Sequence, residues 1–274
     1  MSRVEAETST QFVTAGSLLY SVEHRPWLPP DGPWLFSQRW NDVLFAHFPV
    51  DPPTLRKLVP AEMNLDLYDG CAWLTISPGS VSHLRPRGVP PLPSFSSFPR
   101  LIVRTYVTMN DKPGVYFLSA DAAHLSAVWL ARLWFRMEFW HAAIRMGGAT
   151  VNVHRPADHA IHFFSRRIHG PAGITSPASL DVSYLPEGAS EYARSHSLDA
   201  FLIERFCVYT RDRRNCYRIE IHRQPWPLQQ VSVEFRGNSM AAPFGLELPS
   251  QPALCHFSRS QKMLLWAPER VDLR

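Results

Sequence analysis

The residues best placed to do chemistry stand at every second position of one short run. In residues 100–109 (RLIVRTYVTM), Arg100, Ile102, Arg104 and Tyr106 alternate with Leu101, Val103, Thr105 and Val107. That is the period of a β-strand, so two guanidiniums and a phenol project from one face. Facing a cavity they form a receptor for a carboxylate or phosphate, because guanidinium offers a planar fork of donors. Facing water they are an ordinary polar strand face, with Arg104 paired to Asp121. The alternation is compatible with both. A hairpin through residues 110–114 (NDKPG) into residues 115–120 places Arg104 near Ser119 and diagonal to Asp121. Tyr116 on that second strand would add an apolar wall. A second candidate is Glu138, set between Met137 and Phe139 and close to Trp134, Trp140 and His141. A carboxyl in apolar surroundings has a raised pKa, and Glu138 or His141 would then carry protons as a general acid or base. An ion pair of Glu138 with Arg136 or Arg145 is the simpler assignment.

Other chemistries find no support. His154, His159, His162 and His169 invite a metal, but on a strand His159 and His162 have opposite parity and cannot chelate together, so no metal is expected. There is no glycine-rich phosphate loop, since Gly147-Gly148 lacks the spacing, and no Gly-x-Ser-x-Gly elbow. No cofactor is implied. Of the 28 basic residues only Lys57, Lys112 and Lys262 are lysines, and none sits where an amine would be activated for Schiff-base chemistry. The net charge of +4 is spread along the chain without a block of like charges, which argues against nucleic acid. No apolar run reaches the ~18 residues of a membrane helix, and the N-terminus is too polar for a secretory signal. Four cysteines without a Cys-x-x-Cys pair suit buried thiols in a reducing, cytoplasmic setting. A homo-oligomer is compatible with the sequence.

The elements that must position these residues are mainly strands. The 274 residues are 45% hydrophobic, with 25 prolines against 13 glycines, so long helices fit only a few stretches. Residues 1–33 read as a mobile leader and residues 34–274 as one domain. Strands are expected over 36–48, 63–67, 71–77, 100–109, 115–120, 174–185, 206–210, 216–223 and 231–235, with a closing hairpin over 254–266. Residues 137–146, 150–155 and 159–167 read as an antiparallel meander, with continuation of the preceding helix as the alternative for 137–146. Asp51 caps a short helix that stops at Pro60, Ser197 caps another over 197–205, and residues 122–135 form the one substantial helix, apolar nearly all round and so mostly buried. The Asp69-Gly70 pair makes a tight turn. Residues 78–99, with six prolines, read as a long loop that would cover a pocket. The fold class expected is mainly β (α+β): a closed or nearly closed antiparallel β-barrel or cone with two or three helices.

Several segments together resemble a known family. They are RWNDVLFAHFPVDPPTLRKLVPAEMNLDLYDGCAWLTISP, VRTYV followed by PGVYFLSADA, the region 132–146, and LIERFCVYT with IHRQPWPLQ. In order and spacing they are similar to the YqjF-type domain-of-unknown-function family, grouped with the acetoacetate decarboxylase-like superfamily. The resemblance implies a cone-shaped antiparallel barrel with an interior pocket. It transfers no reaction: the decarboxylases use a Schiff-base lysine, and the equivalent-looking region 115–123 has none. The family pattern usually has Glu where Arg100 stands and Pro where Glu138 stands, and Arg39 corresponds loosely to a substrate-carboxylate arginine. The expected function is binding of a small anionic or carbonyl-bearing organic molecule, oriented by Arg104, Tyr106, Arg100 and Arg39, with Tyr116 and Ser119 nearby. The alternatives are a lyase or hydrolase working by acid–base chemistry through Glu138 or His141, and a basic interaction module.

Overall fold

The computed structural model describes residues 15–92, 95–147, 160–168, 178–212 and 214–272. Among them thirteen strands dominate: β1 (Phe36–Val50), β2 (Asn64–Leu65), β3 (Ala72–Pro86), β4 (Phe98–Met109), β5 (Lys112–Ala122), β6 (Phe139–Gly147), β7 (Ile161–Arg167), β8 (Ser179–Glu191), β9 (Cys207–Arg211), β10 (Cys216–His222), β11 (Leu228–Asn238), β12 (Leu254–Leu265) and β13 (Glu269–Val271). The α-helices are short: α1 (Ala15–Leu19), α2 (Pro52–Arg56), α3 (Leu125–Phe135) and α4 (Leu198–Ile203). The expected strand over 150–155 lies outside the described residues.

Hydrogen bonding runs β4–β5–β6–β7–β8–β11–β12–β1–β3 and back to β4, a ring of nine strands. The sheet also branches: β9 leaves from β5, pairs with β10, and β10 returns to β12, closing a smaller circuit. The strands β12, β1, β3, β4 and β5 are therefore covered on both faces. One face, with Leu44, Leu74, Leu101 and Val103, packs on Phe163, Val182 and Tyr184 inside the nine-strand ring. The other, with Phe45, Trp73, Ile102 and Tyr106, packs on Val208, Ile219, Trp226 and Leu202. The mainly β expectation holds, with two parallel pairings, β5·β6 and β5·β9, among antiparallel ones.

Local chemistry sets several boundaries. Asp51 accepts from the Thr54 backbone N–H at 3.0 Å and starts α2, and Ser197 accepts from Ala200 N at 3.2 Å to start α4. Asp69 and Gly70 hold the positive φ (49° and 77°) of the expected tight turn. The strand before that turn, β2, pairs with β4 rather than with β3.

Four expectations need correction. The proline-rich loop is shorter than read, because residues 78–86 continue β3. Pro78 is tolerated there because the β1–β3 ladder is interrupted between Asn41 and Ala46. Gly79 opposes the same irregularity, and a Cβ on it would lie 3.1 Å from Val43 Cγ2. Residues 254–265 are one strand, not a hairpin: its polar centre faces the bulge of β1, where Arg259 pairs with Asp42 at 2.8 Å and Ser260 bonds Asn41. Helix α3 buries only Ala127, Val128, Ala131 and Phe135, while Trp129 and Leu133 are 70% and 76% exposed. Finally, the later part of the expected leader is packed, with Arg25 buried and paired to Glu220 at 3.1 Å.

The parallel β5·β9 contact makes a sharp demand at Gly114. A Cβ there would lie 2.6 Å from Cys207 Sγ and 3.0 Å from the Cys207 carbonyl. Gly114→Ala is expected to lower stability by about 1–3 kcal/mol in denaturant unfolding, the cost of overpacking a closed interior.

Candidate functional site

The inward face of β4 toward β9, β10 and α4 carries Phe98, Arg100, Ile102, Arg104 and Tyr106. Arg100, Arg104 and Tyr106 are all buried. The face is therefore not the water-facing one. The Arg100 guanidinium stacks on Trp40 at 3.5 Å and donates through Nη1 to the Ser77 carbonyl at 3.0 Å. Among the described residues nothing accepts from its Nε or Nη2, and Arg104 Nε is likewise unpartnered. Burial, with Arg104 adding, pushes Arg100 down to about 9. Burial also lowers Arg104, against a favourable contribution from Tyr106.

Arg100 lines a cavity of about 80 Å³ with Gln38, Trp40, Phe117, Val208 and Leu265, roofed by Ala127, Ala131 and Phe135 of α3. Beyond it, Arg104 Nη2 donates to the Leu202 carbonyl at 3.3 Å, and the Tyr106 hydroxyl donates to the same carbonyl at 2.9 Å. Tyr106 Oη also meets Thr75 Oγ1 at 2.5 Å. Thr75 lies 2.8 Å from His47 Nδ1, His47 Nε2 lies 3.2 Å from His256 Nδ1, and His256 Nε2 lies 3.1 Å from Asp199 Oδ1. Sequence reasoning missed His47, Thr75, His256 and Asp199. The available signal was one histidine inside VLFAHF, two residues from Phe45 on a face that is otherwise apolar.

The remaining candidates lie elsewhere. A bulge between Val103 and Arg104 puts Phe117 opposite Arg104. Ser119 and Asp121 sit in the nine-strand ring instead and bond Arg167 at 2.9 Å each. Arg39 lies on the other face of β1 from Gln38 and Trp40 and donates to Ser260 Oγ at 3.1 Å. Glu138 is exposed, so the apolar enclosure on which its acid–base role rested is absent. With Tyr116, Lys57 and Arg211 it lines an open groove of about 760 Å³. Tyr116 is raised by its burial and then by Glu138. His141 is half-buried on β6, at the parallel pairing with Ala122. Among the described residues no three His, Cys, Asp or Glu could hold a metal ion, and no helix is long and apolar enough to cross a membrane. His162 bonds Ser183 and Arg236, while His154, His159 and His169 lie outside the described residues. None of the three lysines is buried.

A branched sheet of this kind is the acetoacetate decarboxylase-like fold. An acetoacetate decarboxylase-like enzyme from Sphingomonas wittichii RW1 matches with a TM-score of 0.59 at 12% identity, covering 97% of this chain and 99% of that one. The enduracididine biosynthesis enzyme MppR, complexed with pyruvate, matches at 0.55 and 12% identity over 91% and 93%. Acetoacetate decarboxylase from Legionella pneumophila matches at 0.52 and 13% identity over 97% and 98%. At such identities the likeness is one of fold. By sequence the chain belongs to the DUF2071 family, described as an uncharacterized conserved protein, whose model matches residues 37–262. It is 39% identical over 237 residues to the uncharacterized protein YqjF of Bacillus subtilis (strain 168), covering 86% of this chain and 93% of that protein.

Proposed function

We propose that this protein binds a small organic anion, a carboxylate, in the interior beside Arg100 and Arg104. One contrast carries the reading. Among the described residues six arginines are buried. Arg25, Arg167, Arg205 and Arg223 each hold a carboxylate, from Glu220, Asp121, Asp66 and Glu204. Arg100 and Arg104 hold none among the described residues. An unpaired buried cation costs several kcal/mol, and a bound anion supplies the missing charge through short, charge-assisted hydrogen bonds. Size narrows the class, because about 80 Å³ is far below the ~300 Å³ at which drug-sized sites begin. The ligand is therefore a carboxylate of a few heavy atoms. Pyruvate, the ligand carried by the MppR structure, is a natural probe.

The test is calorimetric or NMR titration with formate and pyruvate. The wild type is expected to bind at least one of them. Arg104→Met is expected to weaken that binding by roughly 10- to 100-fold, the worth of a charged hydrogen bond. Glu138→Gln is expected to bind normally. Equal binding by wild type and Arg104→Met, or none by the wild type, would remove the reading, and loss of binding in Glu138→Gln would favour the outer groove.

A further inference from the structure

The chain of side chains behind Arg104 can be counted in protons. It has five contacts: Leu202 carbonyl to Tyr106, Tyr106 to Thr75, Thr75 to His47, His47 to His256, and His256 to Asp199. Each contact needs one hydrogen. The Leu202 carbonyl and an ionised Asp199 bring none, and each hydroxyl and each neutral imidazole brings one. Four hydrogens serve five contacts, whatever the tautomers. One additional proton completes the series. Every donor then points one way on each side of an imidazolium, and Asp199 supplies the balancing charge.

Without a ligand the histidines resist that proton. His47 is held well below the usual histidine range by burial first, then by His256 and Arg104. His256 is lowered by burial, and Asp199 opposes the shift. The other charges nearby are already matched: Arg205 by Asp66 on the loop before β3, and Arg223 by Glu204 after α4. From β4, Arg104 and beyond it Arg100 have no carboxylate partner among the described residues, while Thr75 of β3 and Tyr106 are neutral partners. An anion on the two guanidiniums offsets the part of the His47 shift that comes from Arg104, while Asp199 continues to favour the proton on His256. Asp199, with its side chain 44% exposed, opens the outer end to solvent, whereas the His256 side chain is 7% exposed.

We propose that the interior site takes up one proton with each small carboxylate it binds. The proton enters at Asp199 and is held on the His256–His47 pair. This rests on the reading of Arg100 and Arg104 as the anion receptor. By reciprocity, anion affinity rises as pH falls, up to about tenfold per pH unit while the pair titrates. The proton so held stands one hydroxyl, Thr75, away from Tyr106.

The full chain carrying nitrogen-15 histidine, titrated with sodium formate near pH 7, decides the matter, since formate stays anionic from about pH 6 to 8. Saturation is expected to convert one of His47 and His256 from the neutral to the imidazolium nitrogen pattern. Formate affinity is expected to rise between about pH 8 and 6. Asp199→Asn, a change at a partly exposed position, is expected to keep formate binding and lose both the conversion and the pH dependence. If formate binds with both imidazoles neutral and with constant affinity, the proton inference falls and the anion site stands. If formate perturbs neither histidine and calorimetry shows no formate binding, the anion site itself falls, and this inference with it.

Discussion

Arg100→Met is expected to melt at a higher temperature than the wild type in the absence of ligand, and to lose carboxylate binding. Arg100 is 1% exposed, has two nitrogens without a partner among the described residues, and is pushed down to about 9 because burial disfavours its charge. Replacing an uncompensated buried ion by an apolar side chain of similar length removes a desolvation penalty. Replacing a buried ion pair by apolar residues gains up to about 1–4 kcal/mol, and a gain of that order raises Tm by roughly 2–4 °C per kcal/mol for a chain of this size. The sign follows from linkage. The folded state holds Arg100 less protonated than the unfolded chain does, so its charge costs stability below about 9, and that cost is relieved as pH rises further. Adding formate should raise the wild-type Tm and leave that of Arg100→Met unchanged, because only a state that binds ligand is stabilised by it. Thermal melts of both proteins, with and without formate, check the result. A lower Tm for the variant would mean that Arg100 serves the fold and not a ligand.

Asp121→Asn should have the opposite effect and the larger loss. Asp121 is fully buried and bonds the buried Arg167 at 2.9 Å. The amide keeps the shape and deletes the charge, leaving Arg167 uncompensated inside the nine-strand ring. Breaking a buried pair in this way costs about 3–5 kcal/mol, a fall in Tm on the order of 10 °C. The pH dependence identifies the group. Burial raises Asp121 from 3.8 to about 6, with Arg167 opposing. Between those values the folded protein holds a proton that the unfolded chain has released, so this group makes stability decrease as pH rises through the window. The wild type should show that slope in denaturant midpoints, and Asp121→Asn should lack it. Formate binding should survive in Asp121→Asn, since the pair lies across the sheet from Arg100. Together the two variants separate an arginine that the fold has balanced from one that it has left open.

The strand carrying the site was legible for a definite reason. The alternation from Arg100 to Val107 specifies a β period, so placing Arg100, Arg104 and Tyr106 on one face needs no tertiary information. The same pattern cannot say which face is buried, and here both are, because β4 belongs to the five strands covered on each side. Ser119 illustrates a second limit. A regular hairpin sets it near Arg104, but one bulge between Val103 and Arg104 sends it and Asp121 to the opposite core. Residues 254–265 illustrate a third. Their polar centre imitates a turn, yet it answers the irregular stretch of β1 more than 200 residues earlier in the chain. Helix α3 was recognised as a helix from its composition, while its exposed Trp129 and Leu133 depend on what the sheet leaves uncovered.

What the sequence by itself determined is therefore local and chemical: a mainly β chain with few lysines, one strand presenting two guanidiniums and a phenol, and the caps of α2 and α4. These follow from side-chain periodicity and from hydrogen bonds reaching three or four residues, which are fixed along the chain. Only the tertiary structure decided which arginines found carboxylates. It also decided that His47 meets His256 across 209 residues and that Asp199 closes the series 57 residues away. Those contacts depend on the β1–β12 register and on the seat of α4, and a register shift of one residue would turn His47 to the other core.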